Sequence, residues 1–166
     1  MGAHGGDEAL AQAVGLRKQR TEEGRTALVA LAEQWPEHAG VAYQTAWAHD
    51  VLGLEAEAAP YYERALASEP RLGPDDRYGA LLGLGSTYRA LGRYAESLST
   101  LRRGLEEFPE DAALRTFLAM TLYNVGESRE AVRTLLHVTA ETSGDPRIRA
   151  YRPAIAGWAD NLDEIQ

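Results

Sequence analysis

Residues 81–109 read LLGLGSTYRALGRYAESLSTLRRGLEEFP, and the pattern of this segment indicates the fold class of the whole chain. Two amphipathic helical segments flank Gly92, and Pro109 ends the second of them. Gly53 and Gly126 stand in the same relation to the segments around them, and the interval from Gly53 to Gly92 is slightly longer than the interval from Gly92 to Gly126. Periods of this size are typical of helical repeat proteins, in which each copy packs on its neighbours.

The rest of the chain follows the same plan. No segment sustains the alternation of apolar and polar residues that marks a strand, so the predicted fold class is all-α. Five extra residues in the longer period are placed near Arg71 to Asp75. We expect a single domain over residues 1–166, made of a degenerate N-terminal repeat (7–36), three repeats (37–70, 74–109 and 110–143) and a capping helix (146–164).

The two ends of the chain are less regular than the middle. Asp7 to Trp35 forms either a helix pair broken near Arg20 and Thr21 or one long helix. In the last helix Pro153 removes a backbone hydrogen bond, which predicts a kink or a restart. The apolar residues of that helix recur at helical spacing and predict a cap over the end of the repeats: Ile148, Tyr151, Ile155, Trp158 and Leu162.

Composition limits the classes of function. The chain has no cysteine, which excludes disulfides, thiol catalysis and cysteine-ligated metals. Its formal net charge of −8 disfavours nucleic acid and anionic membranes as partners. No apolar stretch of membrane-spanning length and no signal peptide is visible, so a cytoplasmic location is the default expectation.

Signs of catalysis are few. The histidines lie on different elements, without the spacing that places metal ligands on one helical face: His4, His38, His49 and His137. The best interpretation of His49 is a packing residue. Gly79, Gly83 and Gly85 lie within a predicted helix and not after a strand, so they indicate close packing and not a nucleotide loop. We therefore predict no metal, no cofactor and no enzymatic activity.

Aligned on their glycines, the three repeats resemble the tetratricopeptide repeat. The second repeat carries the clearest pattern of large, small, aromatic and proline positions: Leu81, Leu84, Gly85, Tyr88, Gly92, Tyr94, Leu101, Gly104, Leu105 and Pro109. Ser97 departs from the usual alanine, and the first and third repeats depart at Thr45, His49 and Arg115. The resemblance covers about residues 22–163. It implies a right-handed superhelical α-solenoid of stacked helix-turn-helix repeats with a C-terminal capping helix, and it extends to a small bacterial subgroup of the family.

The resemblance also implies a concave groove lined by the first helix of each repeat. The positions that it assigns to this groove are Tyr43, Trp47, Asp50, Leu82, Ser86, Arg89, Thr116, Met120, Tyr123 and Asn124. Aromatic anchors with a few polar neighbours suit a peptide or helix as ligand. Trp47 or Tyr123 packing instead against the chain's own terminal segments is an alternative that the sequence leaves open.

We therefore expect a non-enzymatic module that binds a peptide or helix of a partner protein, whose identity the sequence does not give. A structural role by self-association is the alternative, in which the apolar stripe of the last helix or the groove pairs two copies as a homodimer. A small enzyme on a helical scaffold is a remote third interpretation.

Overall fold

The structure is a computed structural model, which describes residues 3–164. Met1, Gly2, Ile165 and Gln166, and the side chain of His4, lie outside the described residues. Within them the chain forms helices and no strand: α1 (Ala3–Gln19), α2 (Glu22–Gln34), α3 (Ala39–Asp50), α4 (Glu55–Ala67), α5 (Pro74–Ala90), α6 (Tyr94–Glu107), α7 (Ala112–Asn124), α8 (Ser128–Thr142), α9 (Pro146–Ala150) and α10 (Arg152–Asp160). The prediction of an all-α fold built from helix-turn-helix repeats is confirmed.

The helices form two compact units, residues 1–93 and residues 94–166. In the first unit α1 and α2 both pack on α3, and α3 and α4 both pack on α5, so successive helix pairs stack. In the second unit α6 packs on α7, α7 packs on α8, and α8 contacts α9 and α10. The assignment of the whole chain to a single domain stays a prediction.

Three glycines end the first helix of their pairs in the same way. Gly53, Gly92 and Gly126 have φ angles of 72°, 74° and 88°, the left-handed region that a glycine enters without strain. At Gly92 the glycine N–H donates to the carbonyl of Arg89, and the next N–H donates to the carbonyl of Tyr88. The same two hydrogen bonds recur at the other two glycines. This is the Schellman motif, so the turns anticipated from sequence have one common geometry.

The N-terminal segment is a helix pair and not one long helix. The chain turns at Arg20, whose φ of 52° lies in the left-handed region and whose N–H donates to the carbonyl of Arg17 at 3.2 Å. The hydroxyl of Thr21 then caps α2 by accepting from the N–H of Gly24 at 3.1 Å. Arg20 precedes Gly53 by one repeat period, so it holds the position that glycine holds in the later turns.

The five extra residues mainly lengthen one helix. α5 has 17 residues, whereas its counterparts α3 and α7 have 12 and 13. Pro74 begins α5 in the first-turn position that suits a residue without an N–H, and the added turn lies at this end of the helix. The loop before it carries Leu72, which is buried.

Close packing in the first unit depends on two glycines of α5. A Cβ atom on Gly83 would lie 2.5 Å from the ring of Tyr62, and one on Gly79 would lie closer still to the hydroxyl of Tyr43. Both tyrosines are buried. The interpretation of Gly79 and Gly83 as packing residues is therefore confirmed.

The C-terminal helix breaks where Pro153 predicts. α9 ends at Ala150, and α10 restarts at Arg152 with the proline in its first turn. α10 packs on α8, contains the buried Ala159 and ends at Asp160. Much of the predicted apolar stripe remains open, because Tyr151 is 67% and Trp158 is 50% exposed.

Candidate functional site

The predicted groove positions fall into two sets. Six lie in the first unit, on α3 and α5, and four lie on α7 in the second unit. Each set is described within its own unit. Whether they form one binding groove stays a prediction.

On α3, Tyr43 faces the interior of the first unit. Its side chain is 5% exposed, and its ring centroid lies 5.7 Å from that of Trp47 and 6.3 Å from that of Tyr62. Burial raises the pKa of the Tyr43 hydroxyl to about 12, and the nearby charge of Asp76 adds to the effect. The hydroxyl therefore stays protonated at neutral pH, and the ring forms part of the core.

Trp47 lies at the edge of the same core, partly buried under α1. The guanidinium carbon of Arg17 stands 3.7 Å from the centroid of the Trp47 ring, a cation–π contact. The N-terminal segment thus packs on this residue, as one of the two alternatives for Trp47 requires. Its role as a ligand anchor stays a prediction.

The remaining positions of the first unit are polar or half-buried. The carboxylate of Asp50 accepts a hydrogen bond from the Tyr62 hydroxyl at 3.0 Å. Burial raises the pKa of Asp50, and this hydrogen bond offsets part of the rise. On α5, Leu82 and Arg89 are half-buried, and the hydroxyl of Ser86 donates to the carbonyl of Gly83 at 2.9 Å.

α7 presents a different surface. Met120 is 37% exposed and Tyr123 is 67% exposed, and their spacing of three residues makes them neighbours on the helix. Thr116 lies one turn before Met120 and donates its hydroxyl hydrogen to the carbonyl of Ala112 at 2.7 Å, while Asn124 is exposed beside Tyr123. We call Thr116, Met120, Tyr123 and Asn124 the α7 face.

A buried polar network surrounds His49, which is 2% exposed. Its Nδ1 lies 2.8 Å from the carbonyl oxygen of Thr45, and its Nε2 lies 3.2 Å from Nη1 of Arg25. Because the carbonyl only accepts and the guanidinium only donates, the tautomer with its hydrogen on Nδ1 is the one that satisfies both contacts. Arg25 also pairs with Glu22, and the imidazole stacks on Tyr61 at 5.3 Å. His49 is thus a satisfied packing residue.

Sequence analysis did not identify Arg25 as the partner of His49, because the two residues are 24 apart and on different repeats. Within the described range, 3–164, no group of three or more histidine, aspartate or glutamate side chains is placed to hold a metal ion. No helix in that range is both long and apolar enough to cross a membrane.

Comparison with known proteins agrees with the repeat geometry. A family model described as the tetratrico peptide repeat matches residues 39–162. Superkiller protein 3 of Schizosaccharomyces pombe is 32% identical over 100 residues, which make up 58% of this chain and 7% of that protein. The chain therefore belongs to the tetratricopeptide repeat family, whose members are typically non-enzymatic protein-interaction modules.

Proposed function

We propose that this tetratricopeptide repeat protein is a non-enzymatic interaction module that holds an amphipathic peptide or helix of a partner protein on the α7 face. The proposal places the partner on α7 and not on Tyr43 or Trp47 of α3, which pack against residues of their own unit. A cytoplasmic location is part of the same proposal. The observation that carries the proposal is the exposed pair Met120 and Tyr123. These are large side chains that α6 and α8, their packing partners within the unit, leave uncovered.

The composition of the α7 face suits peptide recognition. Tyrosine offers a large contact area at a low entropic cost, and methionine adapts its shape to different partners. Thr116 and Asn124 add polar groups beside this apolar pair. A buried tyrosine anchor contributes on the order of 2 kcal/mol to binding, which corresponds to roughly 30-fold in affinity.

The test begins with peptides selected from a displayed random library against the purified protein, and the affinity of a selected peptide is measured by calorimetry. Tyr123→Ala is expected to weaken binding at least tenfold. Tyr151→Ala is a matched control, because Tyr151 is the same residue type with the same exposure of 67% and lies in the turn between α9 and α10. Equal loss from the two variants would contradict the proposal.

Self-association is the second candidate, and the exposed rings of Tyr151 and Trp158 favour it. Two copies pairing through α10 would cover this apolar surface, together with the half-buried Ile148 and Ile155. Light scattering over a wide concentration range tests it. A dimer that Trp158→Ala dissociates would support self-association, and a strictly monomeric species would eliminate it.

A further inference from the structure

A cavity of about 400 Å³ is lined by residues of the first unit, and none of the α7 face residues contributes to it. The loop that precedes α3 contributes Trp35 and Pro36, the loop that precedes α5 contributes Pro70 and Leu72, and α1 contributes Leu10. The volume falls within the range of about 300–1,000 Å³ that is usual for small-ligand sites. Apolar walls of this kind accept an aromatic or branched aliphatic group.

The cavity lies where this chain departs from the regular repeat. Gly73 and Asp76, which also line it, belong to the start of the lengthened α5. The repeat that follows, with its shorter α7, has no such added turn. The feature therefore does not follow from the tetratricopeptide pattern itself.

The charged groups of the lining are mostly acidic. Glu37 and Asp76 line the cavity, and among the described residues neither forms an ion pair. Arg71, the cationic side chain of the lining, is largely exposed to solvent and lies 3.5 Å from Glu69. Burial raises the pKa of Asp76 although the charge of Arg17 acts against the rise, so this carboxylate is incompletely solvated.

We propose that this cavity binds a small primary amine with an aromatic or branched aliphatic body. The body fills the space between Trp35 and Leu72, and the ammonium group lies beside the carboxylates of Asp76 and Glu37. The amine is either a free compound or the N-terminal residue of a peptide, since both carry the same two groups. The site is separate from the α7 face and does not depend on the function proposed for it.

The direct test is a ¹H–¹⁵N NMR titration of the full chain with phenethylamine. 2-Phenylethanol and 3-phenylpropionate present the same ring with a neutral group and with a carboxylate. We expect saturable shifts at the Trp35 indole and at Leu72 and Gly73, with roughly threefold tighter binding of the amine than of the alcohol and weaker binding of the carboxylate. The indole signal of Trp158 should stay in place.

A pair of variants tests the charge. Asp76→Asn is expected to weaken phenethylamine binding about threefold to fivefold and to leave 2-phenylethanol unchanged. Asp75→Asn removes the same charge from the same helical turn, but Asp75 is exposed and does not line the cavity, so its effect should be under about 1.5-fold. The ¹H–¹⁵N spectrum of each variant without ligand verifies that the variant is folded. If a variant does not fold, the titrations of the unmodified chain still test the proposal.

Two further ligands separate the sources of the amine. Tighter binding of phenylalanyl-alanine amide than of phenethylamine identifies a peptide N-terminus, and binding of phenethylamine without the dipeptide identifies a free amine. The acetylated dipeptide, which keeps the ring but lacks the ammonium charge, should bind about threefold more weakly than the free dipeptide. Absence of shifts at the cavity residues, or equal affinity for the amine, the alcohol and the carboxylate, would overturn the proposal.

Discussion

α3 and α7 are equivalent helices, each the first of its pair and each ended by a glycine turn, yet they present their predicted groove positions differently. Tyr43 on α3 is 5% exposed, and Trp47 lies under the guanidinium of Arg17. Tyr123 on α7 is 67% exposed. In the first unit α3 is packed by α1, α2, α4 and α5, whereas within the second unit α7 is packed by α6 and α8.

The position of a residue within its repeat thus assigns it to one face of the helix but does not determine whether that face is exposed. The neighbouring helices decide that. The aromatic residues at the predicted groove positions of α3 pack within their unit and stabilise the fold, whereas Tyr123 on α7 is exposed and contributes little to stability. Substitutions in the two units should therefore have different effects on stability and binding.

The strongest contrast is between Trp47→Ala and Tyr123→Ala. Trp47→Ala removes a half-buried ring and its contacts with Arg17 and Tyr43, so we expect a loss of about 2 kcal/mol in the free energy of unfolding. Tyr123→Ala should change it by less than about 0.5 kcal/mol, as is usual at exposed positions. Urea denaturation followed by circular dichroism measures both. Similar destabilisation by the two variants would remove the distinction between α3 and α7.

A second contrast concerns glycines inside helices. Gly83→Ala places a methyl group against the ring of Tyr62, which its hydrogen bond to Asp50 holds in place. We expect a net loss of about 1 kcal/mol or more, although alanine favours the helix. Gly157→Ala in α10 meets no atom within 4 Å and should stabilise by up to about 1 kcal/mol. Thermal melts of the two variants should therefore shift in opposite directions.

The turn at Arg20 provides a smaller test in the first unit. Arg20 holds a left-handed φ of 52° without the freedom of glycine. Replacing it by glycine should remove that strain and raise the free energy of unfolding by about 0.5–1 kcal/mol. The reverse change, Gly126→Ala in the second unit, should lower it by a similar amount. If Arg20→Gly instead lowers the free energy of unfolding, the arginine side chain stabilises the fold by more than its left-handed backbone conformation destabilises it.

Acidification should act differently on the two units. Burial raises the pKa of Asp50 and Asp76, so their unfavourable contribution is present above the folded-state pKa and is relieved as the pH falls through it. A hydrogen bond from Arg115 lowers the pKa of Glu141, and hydrogen bonds from His137 and then Arg133 lower that of Asp160. Their stabilising contribution is present above the unfolded-state pKa of about 4 and is lost as the pH falls through the folded-state pKa.

We therefore expect hydrogen exchange in α8 and α10 to accelerate below about pH 4 before exchange in α3 does, after correction for intrinsic rates. Asp160→Asn should accelerate hydrogen exchange in α10 already at neutral pH. In the first unit a hydrogen bond from Arg25 lowers the pKa of Glu22 on α2, so the exchange rates to compare are those of α3 and α10. Simultaneous loosening of α3 and α10 would contradict the assignment.

Sequence reasoning located the repeats because their turns require glycine, a local condition that a single chain displays. Gly53, Gly92 and Gly126 are such positions. The first turn stayed ambiguous, because Arg20 occupies the position that glycine holds in the other turns. Its separation from Gly53 by one repeat period is the sequence signal that could have located this turn.

Contacts between residues that are distant in the sequence could not be predicted in this way. Arg17 covers the ring of Trp47, and Arg25 forms a hydrogen bond with His49. Both contacts join residues on different repeats. Ser97 was seen as a departure from the usual alanine. The structure explains it, because its buried hydroxyl lies 3.0 Å from that of Thr121.

The central claim is that the α7 face, and not the covered aromatic residues of α3, receives the partner. The most direct measurement is the footprint of a library-selected peptide on the assigned ¹H–¹⁵N NMR spectrum of the full chain. If the partner binds the α7 face, the largest shifts should occur at Met120, Tyr123 and Asn124, with little change at Tyr43 and Trp47. A footprint centred on Trp47, or on Tyr151 and Trp158, would contradict it.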